Sequence, residues 1–150
     1  MNKAGELERA IELAALKTRP RGGVLVLLDS DDDCPAELGP SLLARAAQAG
    51  MGLPVGVVLA QREFESWFLA GAESLRGRRG LPDNLTSPAE PELIRGAKEW
   101  LRSQISGGVY AETIDQPAFA AVFDLTLARR AQSFDKCCRE VRRLIEHCRA

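Results

Sequence analysis

Residues 25 to 35, LVLLDSDDDCP, run an apolar stretch into four aspartates interrupted by one Ser. Asp29 ends the apolar run and Asp31 follows two residues later. Both carboxylates can therefore point into one crevice at the carboxyl end of a strand, where open α/β sheets bind ligands. Two carboxylates held about 5 Å apart repel by up to roughly 3 kcal/mol at an effective dielectric of ~20, and a hard cation offsets that repulsion. Mg²⁺, or Mn²⁺ in its place, takes one or two carboxylates and completes its shell with water and substrate phosphate. Asp29 and Asp31 are thus the expected metal ligands and catalytic groups, with Asp33 as a third ligand. Helix capping is the competing explanation, since acids ahead of a helix starting near Ala36 satisfy its unpaired N–H groups and its dipole. It accounts for Asp32 or Asp33 but not for Asp29, which lies too far upstream.

Spacing tests the other acidic motifs. An EF-hand loop starting at Asp29 needs Gly at its sixth position and Glu at its twelfth, and this chain has Cys34 and Pro40 there. A haloacid-dehalogenase-like phosphatase also opens with a hydrophobic strand and DxD, which leaves that family as an alternative with Asp29 as nucleophile. A second carboxylate pair, Glu63 and Glu65, follows the next apolar run. On a helix the two lie about 200° apart, so one of them faces Asp29. Glu63, nearer the strand end, is the expected catalytic assistant and metal ligand, with Glu65 a further ligand; the plain alternative for each is a solvated outer face. Lys98, with Arg95 and Arg102 at i−3 and i+4, makes a basic strip. Arg62, Arg95 and Lys98 are the candidate phosphate-binding residues, although such strips are commonly only solvated helix faces. Arg76, Arg78 and Arg79 offer a second grip on a phosphate backbone.

The elements that must position these groups can be read from periodicity. ELERAIELAALK places Leu7, Ile11, Ala14 and Ala15 on one helical face. GVLVLL and PVGVVLA are continuous apolar runs, as in parallel strands covered on both sides. Between them Pro35 opens a helix that Gly50 and Gly52 close, giving a βαβ unit. Phe64, Trp67 and Phe68 form a core face on a following helix. Leu93, Ile94, Ala97, Trp100, Leu101 and Ile105 mark another, and GGVYAETID reads as a loop or short extended piece. Two last helices are predicted over about 117–130 and 132–149, with Asp115 and Gln116 capping the first, Ser133 capping the second, and Asp135 in its acidic first turn. Phe134, Cys138, Val141, Ile145 and Cys148 form the apolar stripe of that last helix. His147 lies beside the stripe, so a zinc site built from Cys137, Cys138, His147 and Cys148 is disfavoured against core packing of free thiols.

Length and charge bound the rest. A chain of 150 residues is one domain's worth, and its Gly-, Pro- and Arg-rich stretch divides it into an α/β core over 1–74, a loop or boundary over 75–91 and a helical part over 92–150, expected to pack on the core. With 20 basic and 21 acidic residues the net charge is −1, so no global field draws the protein to nucleic acid or to membrane. No apolar run approaches the ~18 residues that span a bilayer, no signal peptide is legible, and a cytoplasmic location is expected.

The ordered pieces LLDSDDDCP, VVLAQREFESWFLAG, RGAKEWL, YAETIDQPAFAAVFD and SFDKCCREV resemble a bacterial family, the domain of unknown function 4276, placed near the Toprim nucleases and nucleotidyl transferases. The resemblance runs from about Gly5 to Ile145. It implies a Toprim-like α/β fold in which Asp29 and Asp31 match the DxD that binds Mg²⁺ for work on nucleic-acid phosphodiesters. Toprim domains also carry a Glu after an earlier strand, used as general acid or base. No such strand precedes the helix at Glu6, so the chain reads as shortened there, with two secure strands in its sheet. The expected function is accordingly a Mg-dependent phosphodiester enzyme, a possible nuclease, or a metal-binding remnant of one. The alternative from another class is a non-catalytic interaction component of a bacterial defence or mobile-element system, binding a partner protein or a second copy of itself.

Overall fold

A computed structural model of the chain describes residues 5–18 and 20–149. Among them are seven α-helices and two strands, which pair in parallel as β1–β2. The mixed α/β class with a helical C-terminal part is as the sequence indicates. The chain folds as two compact units, one built from the residues up to Leu59 together with those from Lys136 onward, the other from Ala60–Asp135. The stretch 75–91, read from composition as a boundary, lies inside the second unit, where Leu81 and Leu85 are buried.

In the first unit, α1 (Glu6–Thr18) turns Leu7, Ile11 and Ala15 inward, and α2 (Pro35–Ala49) does the same with Leu42, Ala46 and Ala49. These side chains close over one face of β1 (Val24–Asp29) and β2 (Val55–Ala60), packing on Val24, Val26, Val55, Val57 and Leu59. Burying one such aliphatic side chain is worth about 1.5–3 kcal/mol. Arg45 clamps α1 to α2 with Nε 2.7 Å from Glu8 Oε1, an exposed pair that adds orientation more than stability. The other face of the sheet meets the last helix, α7 (Gln132–Arg149). Arg143 Nη2 donates to the Val55 carbonyl at 2.8 Å, and a Cβ on Gly23 would stand 3.2 Å from Leu144 Cδ2, so the glycine leaves that leucine its place.

The strands and the last helix of this unit differ from what the sequence predicts. β2 is buried at every residue, but β1 alternates: Leu25 and Leu27 are more than a third exposed, and α7 covers that side of β1 only in part. The stripe of α7 also differs. Its buried residues include Phe134, Cys137 and Leu144, while Val141 and Ile145 are 38% and 46% exposed, so the helix is rotated from the predicted face. All four cysteines are free thiols.

The second unit is organised by aromatic rings. On α3 (Ser66–Ala70), Phe68 is fully buried and meets Phe64, Phe119 and Phe123 edge-on, with centroids 5.2, 5.8 and 5.4 Å away. Leu69, Ala72, Leu75, Leu101 and Ile105 complete this core. The helix expected from Leu93 begins only at Ala97, as α4 (Ala97–Gln104), since Gly96 stands at its N-cap in the left-handed region at φ +70°. The helix expected over 117–130 is two shorter ones, α5 (Glu112–Ala120) and α6 (Leu125–Ala128). Pro117 lies inside α5, and Asp124 breaks the run by capping α6 with bonds from Thr126 and Leu127 N–H at 2.7 and 3.1 Å. Replacing Phe68 with Ala is expected to cost about 3–5 kcal/mol, read from the urea midpoint of unfolding; a loss below about 1 kcal/mol would contradict a core built around that ring.

Candidate functional site: an acidic strand end and a buried carboxylate cluster

β1 delivers Asp29 to solvent at the carboxyl end of the parallel pair. The chain then turns at once. Ser30 is buried, Asp31 takes a left-handed conformation at φ +50°, and Asp33 N–H closes the turn on the Ser30 carbonyl at 2.9 Å. Aspartate is one of the few residues that tolerates that region, so the turn is bought with residue type and not with strain. Asp31, Asp32 and Asp33 are all exposed. The N-cap of α2 is Cys34, with no side-chain cap bond and Pro35 behind it, so neither Asp32 nor Asp33 occupies the capping position that sequence reasoning offered them.

Glu63 and Glu65 belong to the second unit and are engaged within it. Glu63 Oε2 accepts from the N–H groups of Ala97 at 2.6 Å and Lys98 at 3.4 Å, which makes Glu63 the distant cap of α4. Glycine at the N-cap offers no side chain, and the carboxylate supplies what it lacks. Glu65 is wholly buried. Its Oε1 accepts from Tyr110 Oη and Gln116 Nε2, each at 3.1 Å, while Oε2 is buried without a partner. Burial pushes the Glu65 carboxyl above the usual range, against the opposing pull of its backbone bond, Lys98, Tyr110 and Gln116. Burial would lower the Lys98 ammonium, but Glu65, Glu112 and Glu63 outweigh it and hold the lysine raised; its Nζ lies 3.3 Å from Glu112. Burial and then Glu65 drive the Tyr110 hydroxyl far up, so it stays a donor.

Among the described residues, no three His, Cys, Asp or Glu side chains form a group that could hold a metal ion. The structure brings Glu63, Glu65 and Lys98 into one electrostatic cluster in the second unit and Asp29, Asp31 and Asp33 into one turn in the first. Arg62, half-buried at φ +62°, follows β2, and Arg95 is exposed just before α4. Of the other arginines, Arg76 donates from Nε to the Leu85 carbonyl at 2.6 Å, and Arg79 pairs with Asp115. Asp115 is not the cap of a helix at Pro117: it sits inside α5 and reaches back to the Ala111 N–H at 2.7 Å. Nor does Ser133 cap α7. Glu92 accepts from Gln132 and Ser133 N–H at 2.6 and 3.0 Å, and the Ser133 hydroxyl instead receives the Trp67 indole N–H at 2.7 Å. Asp135 does stand in the first turn of α7, paired with Arg129 at 2.6 Å. Sequence reasoning missed Tyr110, whose signal was a lone tyrosine between a Gly-Gly turn and a helix, and read Gln116 as a helix cap, whereas it lies inside α5 and donates to Glu65.

The chain matches no protein-family model, no curated protein and no solved structure.

A carboxyl raised in the folded state contributes stability that is full below its unfolded value, about 4.3, and is lost as pH rises through the folded value. Glu65→Gln keeps an acceptor for Tyr110 and Gln116 but does not titrate. The melting temperature of the variant relative to wild type is expected to rise as pH is raised above the ordinary glutamate value, about 4.3, towards neutrality. A difference that stays constant over that window would show that Glu65 is charged throughout.

Proposed function

We propose that this protein holds Mg²⁺ or Mn²⁺ with Asp29 and Asp31 and uses it to engage a nucleic-acid phosphodiester, as a Toprim-like protein would. The observation that carries this reading is the turn itself: acids exposed at the carboxyl end of a parallel strand, with the N-cap of the next helix given to Cys34. The motif resemblance, which includes this same turn, points the same way. The residues present fit an open Mg²⁺ site, which needs only one or two carboxylates with water and phosphate oxygens. They do not make a closed cage of His, Cys, Asp or Glu ligands, since no three such side chains group together among the described residues. Bound there, the cation would neutralise charge on a phosphate oxygen. Asp29 and Asp31 would accept it, and Asp33 lies within the same exposed turn.

Holding the metal and phosphate is better supported than cutting. Glu63, the expected assistant, spends one carboxylate oxygen on the N-terminus of α4, and Glu65 is buried under Tyr110 and Gln116. No general base is assigned on that account. The non-catalytic interaction reading gains from a separate observation, the exposed Leu25, Leu27, Val141 and Ile145 of the first unit. No described helix is long and apolar enough to cross a membrane.

Titration calorimetry with Mg²⁺ and Mn²⁺ tests the metal role. Asp29→Asn/Asp31→Asn is expected to bind at least about tenfold more weakly than wild type, a change of about 1.4 kcal/mol; equal affinities would remove these residues from the site. With a labelled single-stranded DNA or RNA added, retention should require the metal and fall with salt.

A further inference from the structure

β1 ends the two-stranded sheet: one of its edges pairs with β2, and among the described residues no third strand joins the other. Natural proteins blunt such edges with lysine, proline or a bulge. VLVLL has none of these, and its two outward side chains, Leu25 and Leu27, are exposed. Leu25 lines a shallow apolar cleft with Val141, Leu144 and Ile145 of α7, and Arg149 stands at its rim. The edge is also electrically polar. At its amino end are the exposed Arg21, His147 and Arg149; beyond its carboxyl end are the exposed Asp31 and Asp33.

We propose that the free edge of β1 pairs antiparallel with β1 of a second copy of this chain, across a two-fold axis. Antiparallel pairing sets the basic end of each strand beside the acidic end of the other, whereas parallel pairing would oppose like charges. One register satisfies both chemistry and side-chain direction. Centred on Val26, it places Leu25 opposite the second copy's Leu27, on the same face of the sheet, and carries Arg21 alongside Asp31. Residues directly opposite in an antiparallel pair share a face, so the exposed leucines cover one another. The product is a four-stranded sheet, β2–β1–β1–β2, in place of an isolated pair that is marginal alone. A two-fold contact uses the same patch twice, and the charges at the two ends of this edge are self-complementary.

Sedimentation equilibrium of the full chain, in low salt with EDTA so that metal binding does not enter, tests the proposal. Wild type is expected to dimerise between micromolar and near-millimolar concentration. Arg21→Glu and Asp31→Arg, each checked for folding by circular dichroism, should each weaken the dimer at least about tenfold through like-charge contacts. Mixed in equal amounts they should restore it as a heterodimer, since each then meets its opposite. Leu25→Lys/Leu27→Lys should be monomeric. A wild-type monomer at every concentration, a dimer indifferent to the single variants, or failure of the mixture to restore association would each overturn the proposal.

Discussion

A two-stranded parallel sheet has two faces to bury and too few strands to bury them, and the first unit is shaped by that shortage. The crossover helix α2 and the preceding α1 settle one face, with Leu7, Ile11, Leu42 and Ala46 over the valines of both strands. The second face is reached by residues from the far end of the chain. Arg143 donates to the Val55 carbonyl at 2.8 Å and Leu144 fits beside Gly23, which brings α7 down on the sheet but leaves Leu25 and Leu27 in solvent. The position of the acidic turn follows from the same pairing, because β1 can present Asp29 at its carboxyl end only while β2 fixes its direction.

The second unit solves a different problem. Its core is a cluster of rings about Phe68, and its polar groups are arranged so that carboxylates satisfy helix starts that their own N-cap residues cannot. Glu63 serves α4 and Glu92 serves α7, each from a segment distant in sequence. Glu65 is the costly member, a buried carboxyl with one oxygen bonded to Tyr110 and Gln116 and the other without a partner. Burying such a group is unfavourable unless it is neutralised or bonded, and its raised pKa is the physical response.

Periodicity and punctuation made much of this legible. The two apolar runs became β1 and β2, Pro35 opened α2, and Phe64, Trp67 and Phe68 turned inward as their spacing required. What failed were inferences that local sequence does not contain. A continuous apolar run does not reveal how many helices will cover it, so β1 was expected to be buried on both faces. A cap supplied from a distant segment is invisible locally, which is why Ser133 was assigned to the start of α7 that Glu92 serves; Asp115 and Asp33 fail for a local reason, because α5 starts earlier, at Glu112, and Cys34 takes the N-cap of α2. The face of α7 was ambiguous because its apolar residues spread over one broad arc, in which Cys137 and Leu144 lie to one side of Val141 and Ile145. For the candidate site, the acidic turn was legible and its geometry was not: nothing in LVLLDSDDDCP announces that Asp31 is the residue placed at positive φ.

The central claim is that a divalent cation binds at the turn after β1. Mn²⁺ added in small steps to isotope-labelled protein broadens amide signals near the bound ion, and so locates it without any assay of activity. Selective loss of the signals of residues 29–33 at low Mn²⁺ is the result this account predicts. Broadening centred instead on the carboxylates around Lys98, or spread evenly over the surface acids, would contradict it.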